Sequence, residues 1–158
     1  MTSMENEIVK AFNLFYRDNG IKALAHRLYQ SEYSRGQWCD FLSDSLESKY
    51  YFACECKSID YTKYKSLNFK SRFSEADGVH QLERENFFIE QTGRNGYLAV
   101  ECRQGAGKSK DCYWIPMEYV YNKFKEGEKS LKIKEIMSFP KMERKKSKYL
   151  VSEELFQG

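Results

Sequence analysis

Residues 50–58 read "YYFACECKS", and the fold is decided by how this stretch ends. It opens on aromatic, small and sulfur-bearing residues, the composition of a buried strand. Within three further positions it places a carboxylate, Glu55, and an ammonium, Lys57. Side chains alternate along a strand, so Tyr51, Ala53, Glu55 and Lys57 share one face. Tyr50, Phe52, Cys54 and Cys56 share the other. The acid and the amine are therefore neighbours at the C-terminal end of the strand. The two thiols point away from them, into apolar packing, where a free cysteine acts as a small hydrophobe. A Cys-x-Cys metal site is not expected.

The preceding segment, "WCDFLS" (38–43), also reads as a strand and carries one charge, Asp40, inside an apolar run. A short turn near 44–49 would make the two strands a hairpin and bring Asp40 beside Glu55. The first helix adds a third carboxylate. Met4, Ile8, Ala11, Phe12 and Phe15 fall on one helical face between Met4 and Tyr16. Glu5 lies on that stripe and is expected to point toward the sheet, whereas Glu7 lies off it and is expected to be solvated. Carboxylates crowded around Lys57 repel one another unless a cation sits among them. Oxygen ligands suit Mg²⁺ or Mn²⁺, and such an ion activates water and stabilises charge on a phosphoryl oxygen. A nearby lysine serves the same charge. A Glu-x-Lys tripeptide taken alone is most simply an ion pair; Asp40 and Glu5 beside it point to phosphodiester hydrolysis.

Working outward, strands are expected over 22–29, 38–43, 49–57, 96–102 and 110–115, with 67–73 a short strand or irregular arm. Helices are expected over 4–16, over 79–93 with a Gly stop, and over 116–127, which opens on Pro and closes on Gly. "RQGAGKS" joins the last two strands. This order implies a single-domain α/β fold with a central mixed sheet flanked by helices. The domain is expected to span 1–127. Residues 128–158 read as a basic, Lys-rich C-terminal extension with a helix near "SLKIKEIMSF".

Aromatics make up 16% of the 158 residues, which favours one ordered domain over a disordered chain. A net charge of +3 permits a nucleic-acid partner without demanding one. The N-terminus lacks a signal-peptide apolar region, and no run is long enough to span a membrane. Five cysteines, an odd number without framework spacing, fit a reduced, cytoplasmic protein.

The layout of a helix Glu, then Asp, then Glu-x-Lys at a strand end resembles the PD-(D/E)xK nuclease superfamily. More narrowly, it is similar to archaeal Holliday-junction resolvases and bacterial RecU-type resolvases, with a restriction-endonuclease-like core. Glu5 in "ENEIVKAF", Asp40 in "WCDFL", and Glu55 and Lys57 in "ACECKS" match the family's active-site positions. "LNFKSRFSEADGVHQLE" resembles the segment that brings a His-Gln to the next helix, and so adds Gln81. "GYLAVECRQG…YWIP" resembles the closing hairpin. The resemblance covers about residues 3 to 120. It implies catalysis by Glu5, Asp40, Glu55, Lys57 and Gln81, with the metal set Asp40, Glu55, Glu5 and Cys56. It also implies Mg²⁺, with Mn²⁺ as the alternative, and a homodimer that cuts branched four-way DNA junctions. The family's basic loop before the Asp is replaced here by "QSEYSRGQ", with Ser34 and Arg35 in its place.

Candidate phosphate contacts are Arg27, Ser34, Arg35, Lys70 and Arg72, joined by Lys63, Lys65, Lys108 and Lys110. "MERKKSKY" (142–149) reads equally as a DNA-binding arm or a solubilising tail. "YWIPMEYVYNKF" (113–124) reads equally as part of a dimer contact or as a helix packed in its own subunit. "GAGKS" (105–109) lacks the earlier Gly of a phosphate-binding loop, because Cys102 stands there. His26 and His80 are the only histidines, and His80 is expected at a helix start. The terminal "LFQG" resembles part of a protease recognition tag.

Overall fold

A computed structural model describes residues 3–29 and 37–157. The first helix, α1 (Met4–Asp18), is capped by Ser3, whose side chain accepts the backbone N–H of Asn6. The chain then forms β1 (Ala23–Arg27) and β2 (Phe41–Ser45). A single 3₁₀ turn at Ser48–Tyr50 leads into the long strand β3 (Phe52–Asp60). The arm that follows holds β4 (Ser66–Asn68), the short helix α2 (Phe69–Arg72), and the two-residue strands β5 (Glu75–Ala76) and β6 (Val79–His80).

Next come α3 (Gln81–Thr92), β7 (Asn95–Arg103), β8 (Asp111–Pro116) and α4 (Met117–Lys125). The Gly stop of α3 is Gly93, in the left-handed conformation at φ 73°. The last segment forms β9 (Ser130–Lys132), α5 (Ile133–Ile136), β10 (Lys141–Lys145) and β11 (Lys148–Leu150), and ends in a 3₁₀ turn at Glu153–Phe156.

Seven strands make one sheet in the order β1-β2-β3-β7-β8-β10-β11. β3 and β7 run parallel, and the other pairs are antiparallel. The expected α/β domain with a mixed sheet flanked by helices is the one that forms. Alternation along β3 decides what each face meets. Phe52, Cys54 and Cys56 enter the core beneath α1, with Ile8, Phe12, Tyr16 and Trp114. Ala53 and Ile59 enter the cores beneath α3 and α4. Fully burying aromatic and aliphatic side chains of this size contributes about 1.5–3 kcal/mol each. α3 and α4 approach β7 closely at Gly96, where an added Cβ would meet Ile89 and lie 2.9 Å from the Cβ of Met117.

Several sequence expectations change here. Residues 128–157, read as a basic extension, fold into the same domain. β10 pairs with β8, and Met142, Tyr149 and Leu155 close the core over α1. Phe156, in the tag-like "LFQG", packs its ring against Phe12 and Tyr50. The helix expected near "SLKIKEIMSF" shrinks to α5, flanked by β9. In 113–124, Trp114, Ile115, Met117 and Val120 are buried within the subunit. Tyr119 and Tyr121 donate to Glu135 and Glu83. Tyr119, Tyr121 and Phe124 pack against that core and stay half-buried. All five cysteines are buried and free. Among the described residues, no helix is long and apolar enough to cross a membrane.

Candidate active site

The hairpin register places Asp40 opposite Glu55, one step beyond the bridged pair Phe41 and Cys54. The Asp40 backbone N–H donates to the carbonyl of Cys54 at 3.0 Å, which continues the ladder. Its side chain then turns back across β3. Asp40 Oδ2 accepts the backbone N–H of Cys56 at 2.7 Å, and Oδ1 accepts the Gln37 amide at 3.1 Å. Cys56 thus reaches the site through its backbone. Its thiol lies in the core under α1, on the other side of the sheet, because positions 55 and 56 alternate faces. A metal contact at Cys56 would therefore have to come from its backbone and not from its thiol, as the alternation of the strand implies.

Glu55, Lys57 and Gln81 line one open cavity of about 450 Å³ with Asp40, Arg72, Phe73 and Arg84. Gln81 is the first residue of α3, and the turn before it is held by His80. The His80 Nδ1 accepts the N–H of Leu82 at 3.1 Å, so its Nε2–H donates to the carbonyl of Phe69 at 2.8 Å. The ring stacks on Phe124 at 4.4 Å. His80 is a helix cap, as its position in the sequence suggests.

Gln81 can be oriented in only one sense. Its Oε1 accepts the N–H of Ser74 at 3.1 Å and faces Lys57 Nζ at 3.4 Å, and both of these are donors. Its amide nitrogen therefore donates to Glu55 Oε2. Lys57 also sits over the ring of Phe73, with Nζ 4.6 Å from the centroid. Acid, amide and amine form one chain of contacts along the cavity wall.

One residue of the site was not found in the sequence. Glu85 stands four positions after Gln81, one turn along α3, and is only 2% exposed. Its carboxyl meets that of Glu55, and Asp40 acts on both. Burial, then the neighbouring acid Glu85, hold Glu55 well above the usual carboxylate range. Burial also pushes Glu85 up, to about 7. Among the described residues, none gives Glu85 Oε1 a hydrogen bond. The available signal was the i, i+4 spacing from Gln81, in a helix otherwise read for its Gly stop and its opening His-Gln.

The donor set suits a divalent ion with limits. Among the described residues, no three His, Cys, Asp or Glu side chains are gathered so as to hold a metal by themselves. Mg²⁺ does not require that, since it is commonly held by one or two carboxylates with water and phosphate oxygens. Asp40 and Glu55 supply two carboxylates. The crowding of Glu55 and Glu85, with one buried oxygen unpartnered, is the condition that a cation relieves.

Other expected site residues fall elsewhere. Glu5 is half-buried in the first turn of α1. Its charge acts on the Cys56 thiol, on the α1 side of the sheet, and it does not line the cavity of Glu55. Glu7 is not solvated as expected: Arg144 of β10 approaches it at 3.3 Å in a largely buried pair. Nothing local in the sequence points to this partner, because 142–149 reads equally as a DNA-binding arm or a solubilising tail.

Arg72 donates to the carbonyl of Ser58 and lines the cavity. Lys70 is exposed on α2. Arg27 lies on β1, bonded to Asn6 and placed over the ring of Tyr29. Ser34 and Arg35 lie outside the described residues. "GAGKS" lies in the loop between β7 and β8. Its Gly105 and Gly107 take positive φ, as a hairpin turn requires.

No family model and no curated protein matches the chain. Solved structures do match it. The chain is similar to Hjc of Archaeoglobus fulgidus. That protein is a Holliday junction resolvase from an archaeal hyperthermophile. The two share 16% identity over 93% of this chain and 87% of that one, with a TM-score of 0.42.

Proposed function

We propose that this protein is a Mg²⁺-dependent endodeoxyribonuclease that resolves four-way DNA junctions by phosphodiester hydrolysis, acting as a cytoplasmic homodimer in recombination and repair. One observation carries the reading: Asp40, Glu55 and Lys57 converge on a single open polar cavity, with Gln81 bonded to both Glu55 and Lys57. Buried acids with strongly perturbed titration, set in a cleft beside an amine, are a reason to suspect chemistry there.

Asp40 and Glu55 would hold the ion. Once bound, it supplies a Lewis acid at the scissile phosphate and an acidified water. Lys57 is placed to stabilise charge on a phosphoryl oxygen or to orient the attacking water. Gln81 holds Glu55 and Lys57 at a fixed relative position. Arg72 and Arg84, at the cavity rim, are suited to the flanking phosphates. Asp40, Glu55, Lys57 and Gln81 are the assigned catalytic group. Glu5 remains a candidate from the neighbouring helix.

Two copies are needed for two symmetric incisions, and two-fold dimers are the commonest oligomers. The deciding test compares cleavage of a four-way junction and a linear duplex, with and without Mg²⁺. Paired symmetric nicks near the junction, abolished by chelator, are expected. Sequence-specific cutting of linear duplex would indicate a restriction- or repair-type enzyme on this scaffold. Binding without cleavage would indicate a non-catalytic DNA-binding domain.

A further inference from the structure

α3 serves two cavities. Its first turn, with Gln81, faces the acidic cleft, and Arg84 lines both that cleft and a second cavity of about 450 Å³ beside it. The second cavity is bounded by Trp38, Val79 and Phe87, with Ala76, Asp77 and Glu83 at its edge. The three apolar side chains are solvent-accessible: Trp38 is 41% exposed, Val79 42% and Phe87 54%. The indole is also held in place. Trp38 stacks on Phe88 with centroids 5.5 Å apart and planes 14° apart, and Phe87 stands 5.9 Å to its side. Glu83 already has partners, with Tyr121 at 2.8 Å and Lys125 at 3.1 Å.

Trp38 precedes Asp40 by two residues, and Phe87 follows Gln81 by six. The helical rise separates Gln81 from Phe87 by ~9 Å, a reach of two or three nucleotides along a strand. The exposed apolar area is roughly 300 Å² for side chains of these sizes, well short of the ~800 Å² per partner that a standard stable interface buries. The surface fits an occupant the size of one flat ring.

We propose that Trp38 and Phe87 form a stacking platform for one unpaired nucleobase of the strand seated in the adjoining cleft. The proposal rests on the nuclease reading, because it takes the cleft to hold DNA. An aromatic face accepts any base, since every base has a π-face. The platform therefore selects for strand opening and not for sequence. It would favour DNA in which a base has left its stack within a few nucleotides of the bound phosphate.

The test uses full-length protein in chelator, so that binding is read without cleavage. One duplex carries a single unpaired 2-aminopurine, and a second is fully paired. Wild type is expected to bind the bulged duplex at least about tenfold more tightly and to quench the 2-aminopurine fluorescence. Trp38→Ala and Phe87→Ala should each remove most of that preference and the quenching, with paired-duplex affinity within twofold of wild type. Phe87 is more than half exposed, so its variant keeps the core intact; Trp38→Phe should restore part of the preference. An unchanged preference in both variants, or equal losses on both duplexes, overturns the platform. A variant that falls from dimer to monomer in sedimentation shows the patch to be a contact between copies, which also overturns it. Absence of any DNA binding defeats the nuclease reading as well; normal binding with Mg²⁺-dependent cleavage and no aromatic effect defeats the platform alone.

Discussion

The side-chain amide of Gln81, at the start of α3, donates to Oε2 of Glu55 on β3. This contact joins a helix to a strand that lies 26 positions earlier in the chain. It depends on the His80 cap, which fixes where α3 begins. Because the other end of the same amide faces Lys57, a change at Gln81 reaches both the acid and the amine.

Gln81→Ala is therefore expected to slow single-turnover cleavage by about 10- to 100-fold, the usual cost of losing a group that orients a ligand. Junction affinity should stay within a few-fold. Measuring rate and binding on the same junction separates the two. A loss confined to affinity would make Gln81 a DNA contact.

Asp40→Asn and Glu55→Gln should abolish cleavage and preserve junction binding. A second readout does not depend on activity. Mg²⁺ should raise the Tm of wild type through binding to the native state and should raise that of either variant much less. Calcium is expected to give the thermal shift without turnover. Cleavage that persists in excess chelator would end the metal mechanism.

The pH dependence follows from Glu55 and Glu85. Both fold with raised carboxyl pKa values, so the native state holds protons that the unfolded chain has released. Their contribution is complete below the ordinary glutamate range and is lost as pH rises through about 7 for Glu85. Metal-free protein should therefore lose stability between about pH 4.5 and 7. Glu85→Gln should flatten that slope and be the more stable protein at pH 8. Urea unfolding across this range checks the sign, and a wild type that gains stability with pH would contradict it.

Glu5 and Glu7 should part company. Glu7→Gln breaks a largely buried pair with Arg144 and should lower stability by roughly 1 kcal/mol while sparing cleavage. Glu5→Gln should leave Tm nearly unchanged, so that any loss of cleavage reports chemistry. Thermal melts beside initial rates resolve the pair.

Leu155→Ala should cost about 2–5 kcal/mol, the range for a buried leucine, because Leu155 is 4% exposed in the core under α1. A change below 0.5 kcal/mol would show the C-terminal turn to be dispensable.

Much of this was legible locally. Period-2 alternation in "YYFACECKS" placed Glu55 and Lys57 on one face and the thiols on the other, since that geometry belongs to the strand itself. The Gly stop of α3 was readable from the conformational freedom of glycine, and Asp40, which lies just before β2, from its charge inside an apolar run. Glu85 was not, because burial of a carboxylate depends on what packs over the helix. The pairing of Glu7 with Arg144 was not readable either. It depends on a sheet edge formed by residues 137 positions away, in a Lys-rich segment whose composition resembles a tail.

The sequence by itself determined the main helices and strands up to residue 127, the two faces of β3, and the candidate acids and amine at one strand end, because these follow from short-range periodicity and side-chain chemistry. Only the tertiary structure decided that Gln81 reaches Glu55 and that Glu85 is buried beside it. It alone placed Glu5 apart from the cavity and made residues 128–157 part of the core. Those outcomes are set by sheet order and by which layer covers each face, and they arise from contacts between segments that no local pattern encodes.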